Sequence, residues 1–305
     1  MTFSLPRWVK GALLVLLGAF LWGTMVVFTK GASHLMPLTI ATVRVALSTA
    51  SGFLFFSLRK PSMLRIDLKD LRLVWFFGGF SVAFLYGGFT LALRTLSVAT
   101  TEVIFFTFPL FTTLGGALLF REWPSPLQVL AGFVILSGVA CMTLMTGGEA
   151  ESTSQRSAVG LGAAVLSVVG MTMQSLTSRW NGREKRLPPW TFFIWMQASG
   201  LFWLALAKTF LEGWGDLPTV SFDSWLLLLY LGVVTTFLGY GVYNLGLTFI
   251  RASTASMLAS FELVTAVTLA AVILKTPPSR GELWGCVIIL VGLCLSARGA
   301  SEAEE

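Results

Sequence analysis

Residues 91–139, LALRTLSVATTEVIFFTFPLFTTLGGALLFREWPSPLQVLAGFVILSGV, hold two long apolar runs joined by one charged turn. Residues 245–293, LGLTFIRASTASMLASFELVTAVTLAAVILKTPPSRGELWGCVIILVGL, repeat that layout without a gap at an offset of 154. The coincidences include Leu91/Leu245, Leu93/Leu247, Thr100/Thr254, Ala117/Ala271, Ser125/Ser279, Ile135/Ile289, Leu136/Leu290 and Gly138/Gly292. Matches of Leu and Ala are weak evidence in apolar sequence, so the equal run lengths and the turn matter more. Arg121 falls on Lys275, and Trp123-Pro124-Ser125 on Pro277-Pro278-Ser279.

Outward from these segments, runs of the same kind recur nearly end to end. A helix needs about 20 apolar residues to cross a hydrocarbon core of about 30 Å. Ten stretches qualify: Gly11 to Thr29, Leu38 to Leu58, Leu71 to Leu93, Ala99 to Phe120, Leu127 to Met145, Ala158 to Ser178, Trp190 to Phe210, Ser224 to Leu247, Ala252 to Leu274 and Gly281 to Ala297. They are apolar all round, whereas a barrel strand alternates apolar and polar over about ten positions. Helices satisfy every backbone group within their own segment, which lipid demands.

The polar stretch GGEAESTSQRS, residues 147–157, divides the ten runs five and five. Each half holds an odd number of helices, so the second inserts upside down relative to the first, which is an inverted repeat. The expected fold is therefore an all-α integral membrane protein, its ten transmembrane helices forming two inverted five-helix repeats around a central cavity. The expected organisation is a first repeat over 1–146, a linker over 147–157, a second repeat over 158–298 and an acidic tail over 299–305.

Composition agrees. The 305 residues are 55% hydrophobic and 12% charged, with a mean hydropathy of +0.80, against roughly a quarter charged in soluble chains. A net charge of +6 could suggest nucleic acid, but the basic residues lie in short loops without interleaved aromatics, so none is expected as a partner. Cys141, Cys286 and Cys294 fall in apolar runs with no paired spacing and no nearby His, and read as small buried hydrophobes. The first run follows Arg7 and Lys10 but has no small-residue cleavage site, so a retained helix is expected.

Lys and Arg set the orientation. With the first residues inside, fourteen lie on the inner side and six on the outer, and Arg44 lies within a helix. The inner excess is concentrated in Arg59 to Arg72 and Arg179 to Arg186, equivalent loops after the second and sixth helices. Both termini are expected on the cytoplasmic side of a multi-pass protein of the cell membrane.

Three groups of residues resemble the EamA-like branch of the drug/metabolite transporter superfamily. The first is Leu21-Trp22-Gly23-Thr24 with Lys30, Pro37 and Arg44; the second is Pro109 followed by Phe120-Arg121-Glu122; the third is Phe261-Glu262 with Gly285 and Gly292. The family's Glu-Pro pair in helix nine is Glu262-Leu263 here, and its second Gly-Glu is Lys275-Thr276. The resemblance spans almost the whole chain. It implies a ten-helix exporter of small metabolites, often amino acids, driven by the proton gradient, with Gly23, Lys30, Pro37 and Glu122 as structural motif positions.

The residues themselves name the candidates for a substrate path or for coupling. Arg44, Glu102 and Glu262 are the ionisable side chains well inside the runs, where a charge costs at least about 2.5–3.5 kcal/mol and calls for a partner or a wet cavity. Glu262, the deepest, is expected to face the central cavity and either pair with Arg44 or take up a proton. A permanent Arg44–Glu262 pair that only locks helices is the alternative. Glu102, one turn inside its run, reads as interfacial. Tyr86, Gln174, Gln197, Tyr240 and Asn244 need hydrogen-bond partners in lipid, and so face helices or a cavity. Trp22, Phe105, Phe108 and Trp195 are candidate walls, and Pro109 a candidate hinge. Lys30 and Glu122 sit at helix ends and read as structural, and the lone His34 as a solvated loop residue.

The function expected is a secondary transporter moving small organic solutes outward by alternating access, with a small-molecule substrate, the lipid bilayer and protons as partners, acting as monomer or dimer. No cofactor or metal is expected. The competing class is a membrane-embedded enzyme acting on lipid or peptide, but Asp67, Asp70, Asp216 and Asp223 lie in loops or at helix ends and no His cluster exists. A carrier of nucleotide-sugar-like solutes remains a second alternative, for which more cationic residues on the path are expected.

Overall fold

The structure, a computed structural model, describes residues 6–27, 35–145 and 158–302. The described residues are mostly helical, without strands. Lys30, His34 and the linker at 147–157 lie outside them, as do the last three residues of the acidic tail.

The helices are α1 (Arg7–Gly23), α2 (Pro37–Arg59) and α3 (Leu68–Thr95), then α4 (Val98–Phe105), α5 (Phe108–Phe120) and α6 (Pro126–Met145). After the linker come α7 (Ala158–Glu184), α8 (Pro189–Leu211), α9 (Phe222–Gly246), α10 (Ala252–Ala259), α11 (Phe261–Ile273) and α12 (Arg280–Glu302). Among the described residues nine spans are long and apolar enough to cross a membrane: α2, α3, α4 with α5, α6, α7, α8, α9, α10 with α11, and α12. The chain is a multi-pass membrane protein. α1 is described over 17 residues and runs on into a 3-10 turn, Thr24–Val27.

Breaks in the fourth and ninth sequence runs fall at related places. α4 ends at Phe105 and α5 starts at Phe108, where Pro109 has no N–H to continue the ladder; the Thr107 N–H bonds Ile104 O at 3.1 Å and the Leu110 N–H bonds Thr107 O at 3.0 Å across the break. α10 ends at Ala259 and α11 starts at Phe261, with the Ser260 N–H on Met257 O at 3.1 Å. At the sequence offset of 154, the first and last residues of α4 fall on those of α10, and the first residue of α6 falls on that of α12. The turns match as well. Arg121 and Lys275 are left-handed, with φ of 56° and 54°. The Glu122 N–H reaches Gly116 O at 3.2 Å, and the Thr276 N–H reaches Ala270 O at 3.3 Å.

α6 and α12 pack along their length through reciprocal glycines. A Cβ on Gly138 would stand 2.8 Å from Ile289 and 3.0 Å from Gly285 O, and one on Gly292 would stand 2.6 Å from Ile135 and 3.2 Å from Ala131 O. Small residues let backbones approach this closely, and in lipid such contact is a main source of helix association.

Where α8 ends, the structure holds a clasp onto the start of α2. Lys208, near the end of α8, is fully buried and donates to Asp216 Oδ1 at 3.1 Å and Thr39 Oγ1 at 2.5 Å, with Glu212 at 3.7 Å. Both carboxylates also accept from the start of α2: Asp216 from the Met36 N–H at 3.2 Å, Glu212 from the Leu38 N–H at 3.1 Å. Pro37 stands at the first helical position, where its missing N–H costs nothing. Lys208 lies in the last turn of α8, its charge met by Glu212 and Asp216, which follow the helix end.

Candidate functional site

A cavity of about 370 Å³ lies between α1, α2, α3, α4, α9 and α11. Its lining is mostly aromatic and aliphatic, including Trp22, Tyr86, Phe89, Phe105, Phe106 and Tyr240, with one basic and two acidic side chains among the described residues: Arg44, Glu102 and Glu262. Volume and lining are those of a small-solute site. From the level of Arg44 and Tyr240 it extends towards the α3–α4 turn, where Leu93 and Val98 line it.

α9 shapes one wall. Its turns widen to a π-helix over Leu231–Tyr240, and the neighbouring hydroxyls of Thr235 and Thr236 both donate to Leu231 O at 2.8 Å. Both then accept from Arg44: Nε to Thr236 Oγ1 at 2.8 Å, Nη2 to Thr235 Oγ1 at 3.1 Å. The guanidinium also lies over the Tyr86 ring, 4.7 Å from its centroid. Trp22 Nε1 donates to Thr235 O at 3.1 Å, and its ring meets Tyr240 at 4.3 Å. The Tyr86 hydroxyl approaches Thr236, Gln197 and Tyr240 but completes a hydrogen bond with none of them.

α1 closes on α11 at Gly23, where a Cβ would stand 2.6 Å from Glu262 O and 2.6 Å from Thr265 Cβ. Only glycine permits that approach, and it brings the Glu262 end of α11 to the cavity wall. Arg44 and Glu262 line the same cavity without an ion pair between them; no described residue gives the Glu262 or Glu102 carboxylate a hydrogen bond or salt bridge. Glu102, read from sequence as interfacial, lines the cavity.

Of the sequence candidates, Trp22, Gly23, Arg44, Tyr86, Phe105, Tyr240 and Glu262 come together there. The other candidates among the described residues lie elsewhere. Phe108 packs behind the wall on Phe105 and Phe106, at 5.3 and 6.3 Å between centroids, and Pro109 is buried beside it at the break. Gln197 donates to Ser48 Oγ at 3.3 Å within the α2–α8 contact, and Trp195 Nε1 donates to Leu64 O at 3.0 Å, under the α2–α3 loop. Gln174 is fully buried, its amide without a hydrogen bond. Residues that sequence reasoning passed over include Phe89, Thr90, Met25 and the Thr235–Thr236 pair.

Beyond Tyr240 a polar seam joins α7 and α9, away from the cavity. Ser175 bonds the Tyr243 hydroxyl at 2.9 Å, Ser178 donates to Asn244 Oδ1, and Asn244 Nδ2 donates to Tyr240 O at 2.6 Å. The seam ends at Glu122, whose Oε1 accepts from Arg179 at 2.7 Å (Nη2) and 3.1 Å (Nε). Arg183 Nη1 bonds Phe120 O at 2.9 Å. Glu122 thus pins α5 to α7.

The profile of the EamA-like transporter family matches residues 9–144 and 158–298. The chain belongs to that family. This places it in the drug/metabolite transporter superfamily and makes it a transporter of small metabolites in kind. A relative from Salmonella typhimurium strain LT2, named a probable amino-acid metabolite efflux pump, is 27% identical over 299 residues, 95% of each chain. A protein of known crystal structure, 18% identical, has a TM-score of 0.79 over 97% of this chain and 99% of its own, a likeness of fold.

Proposed function

We propose that this EamA-like protein is a secondary exporter of small organic metabolites in the cell membrane, working by alternating access around the cavity at Arg44, Glu102 and Glu262. The cavity carries the reading. It is built jointly by helices from both halves of the chain and holds ionisable groups that lipid would not tolerate unless water or a solute met them. Amino acids and related compounds are the first class to test, because the Salmonella relative is named for them.

Ten transmembrane helices in two inverted repeats, with α1 and its 3-10 extension as the tenth, are the architecture that fits. Support comes from the coincidence of α4 with α10, the paired left-handed ends at Arg121 and Lys275, and the reciprocal glycine contacts of α6 and α12. With the basic loops at 59–72 and 179–186 on the cytoplasmic side, both termini lie inside and the cavity leads outward. The seam from Tyr243 to Glu122 then closes the inner side.

Glu262 is the coupling site in this reading, a carboxylate on the cavity wall with no partner among the described residues to fix its charge. The test is uptake of labelled amino acids into proteoliposomes under an imposed pH gradient, comparing the parent protein with Glu262→Gln. Gradient-driven uptake that the substitution uncouples is the expected result; parent-like coupled uptake by the variant makes Glu262 structural.

A further inference from the structure

We infer that the cavity selects a monocationic amine with an aromatic or apolar body, over a zwitterion or a carboxylate. This rests on the transporter reading above and names its substrate class. The cavity presents two carboxylates, Glu102 and Glu262, and one cation, Arg44, among the described residues. Arg44 has its Nε and Nη2 donors committed to Thr236 and Thr235 and its face covered by Tyr86. These contacts leave a substrate carboxylate only the remaining N–H groups of that cation. Among the described residues the two acids have no protein partner, so the unmet charge these residues leave in the cavity is negative and a single ammonium neutralises it.

The lining points to a ligand of that kind. The cavity walls include the rings of Trp22, Tyr86, Phe89, Phe105, Phe106 and Tyr240; ring faces attract a cation electrostatically, and the rings hold an apolar body by contact. A substrate carboxylate brought into this space would face Glu102 and Glu262 with like charge. Specificity here works by repulsion as much as by attraction.

The experiment uses three solutes with one phenyl body: 2-phenylethylamine, phenylalanine and 3-phenylpropanoate. Binding to the purified full-length protein in nanodiscs and uptake into proteoliposomes are measured for each, with Glu102→Gln beside the parent. The parent is expected to favour the amine over phenylalanine at least about tenfold, a difference worth about 1.4 kcal/mol, and to leave 3-phenylpropanoate unbound. Glu102→Gln is expected to narrow the amine-to-phenylalanine ratio. Equal or stronger binding of phenylalanine, with uptake, overturns the amine inference and leaves the transporter standing. Binding of the amine without uptake of any solute supports the site and overturns the transporter reading. No binding of the amine by the parent overturns the inference, whatever the variant does.

Discussion

Arg44 reaches across from α2 to donate its Nε to Thr236 Oγ1 at 2.8 Å, and this bond holds a buried cation on the widened turn of α9. A hydrogen bond to a charged group is worth about 1.5–3 kcal/mol, and a buried donor left unpaired costs a similar amount. Thr236→Val keeps the side chain's shape and removes the acceptor. The variant is expected to lose about 2 kcal/mol of stability, seen as a lower midpoint in thermal unfolding in detergent. An unchanged midpoint would mean that water replaces Thr236 at no cost.

The Lys208 clasp predicts a pH dependence. Burial alone pushes the Asp216 carboxyl up, but bonds from the Thr39 hydroxyl, the Lys208 ammonium and the Met36 N–H outweigh it and hold the group below the usual carboxylate range. A carboxylate lowered in this way on folding contributes stability above its unfolded value, about 3.9, and the contribution is lost as pH falls through the folded value. Asp216→Asn is therefore expected to cost about 2 kcal/mol near neutral pH. The gap between parent and variant should close as the pH of thermal unfolding is lowered below about 4. A gap that stays constant over that range would assign the loss to packing.

The α6–α12 contact allows a test of reciprocity. A Cβ on Gly292 would lie 3.1 Å from the Ile135 backbone N, and one on Gly138 would lie 3.0 Å from the Ile289 backbone N. Backbone cannot swing aside as a side chain can. Overpacking of this kind costs typically about 1–3 kcal/mol, so Gly138→Val and Gly292→Val should each destabilise by that order and to similar extents. A large effect at one site and none at the other would contradict the matched geometry.

The spans were legible because hydrophobic run length is a one-dimensional property, and the Arg121/Lys275 turn because its spacing of 154 survives in the sequence. What depends on neighbours was not. Glu102, one turn inside its helix, has the same sequence context whether it faces headgroups or a cavity. Nothing marks the π-helix that presents Thr235 and Thr236 together, and the break at Ser260 has no proline of its own. Gln174, Gln197, Trp195 and Asn244 share the composition of cavity residues but sit in helix contacts, since both environments select buried polar and aromatic side chains. Lys208 did leave a trace: Glu212 and Asp216 follow it at four and eight residues, two acids close behind one lysine.

The seam below the cavity gives the prediction most tied to transport. Glu122 is 11% exposed and takes two N–H bonds from Arg179, joining α5 of the first half to α7 of the second. If the halves separate there when the inner side opens, weakening this pair should shift the population towards that state without touching the cavity. Glu122→Gln keeps the shape and removes the charge. In a background where Cys141, Cys286 and Cys294 are replaced by alanine and Ser178 by cysteine, a membrane-impermeant thiol reagent applied to inside-out vesicles should label residue 178 faster in the Glu122→Gln variant. The same reagent applied to right-side-out vesicles should show no such gain. Faster labelling from both sides would indicate general loosening of the fold, and unchanged labelling from either side would remove the Glu122–Arg179 pair from the inner closure.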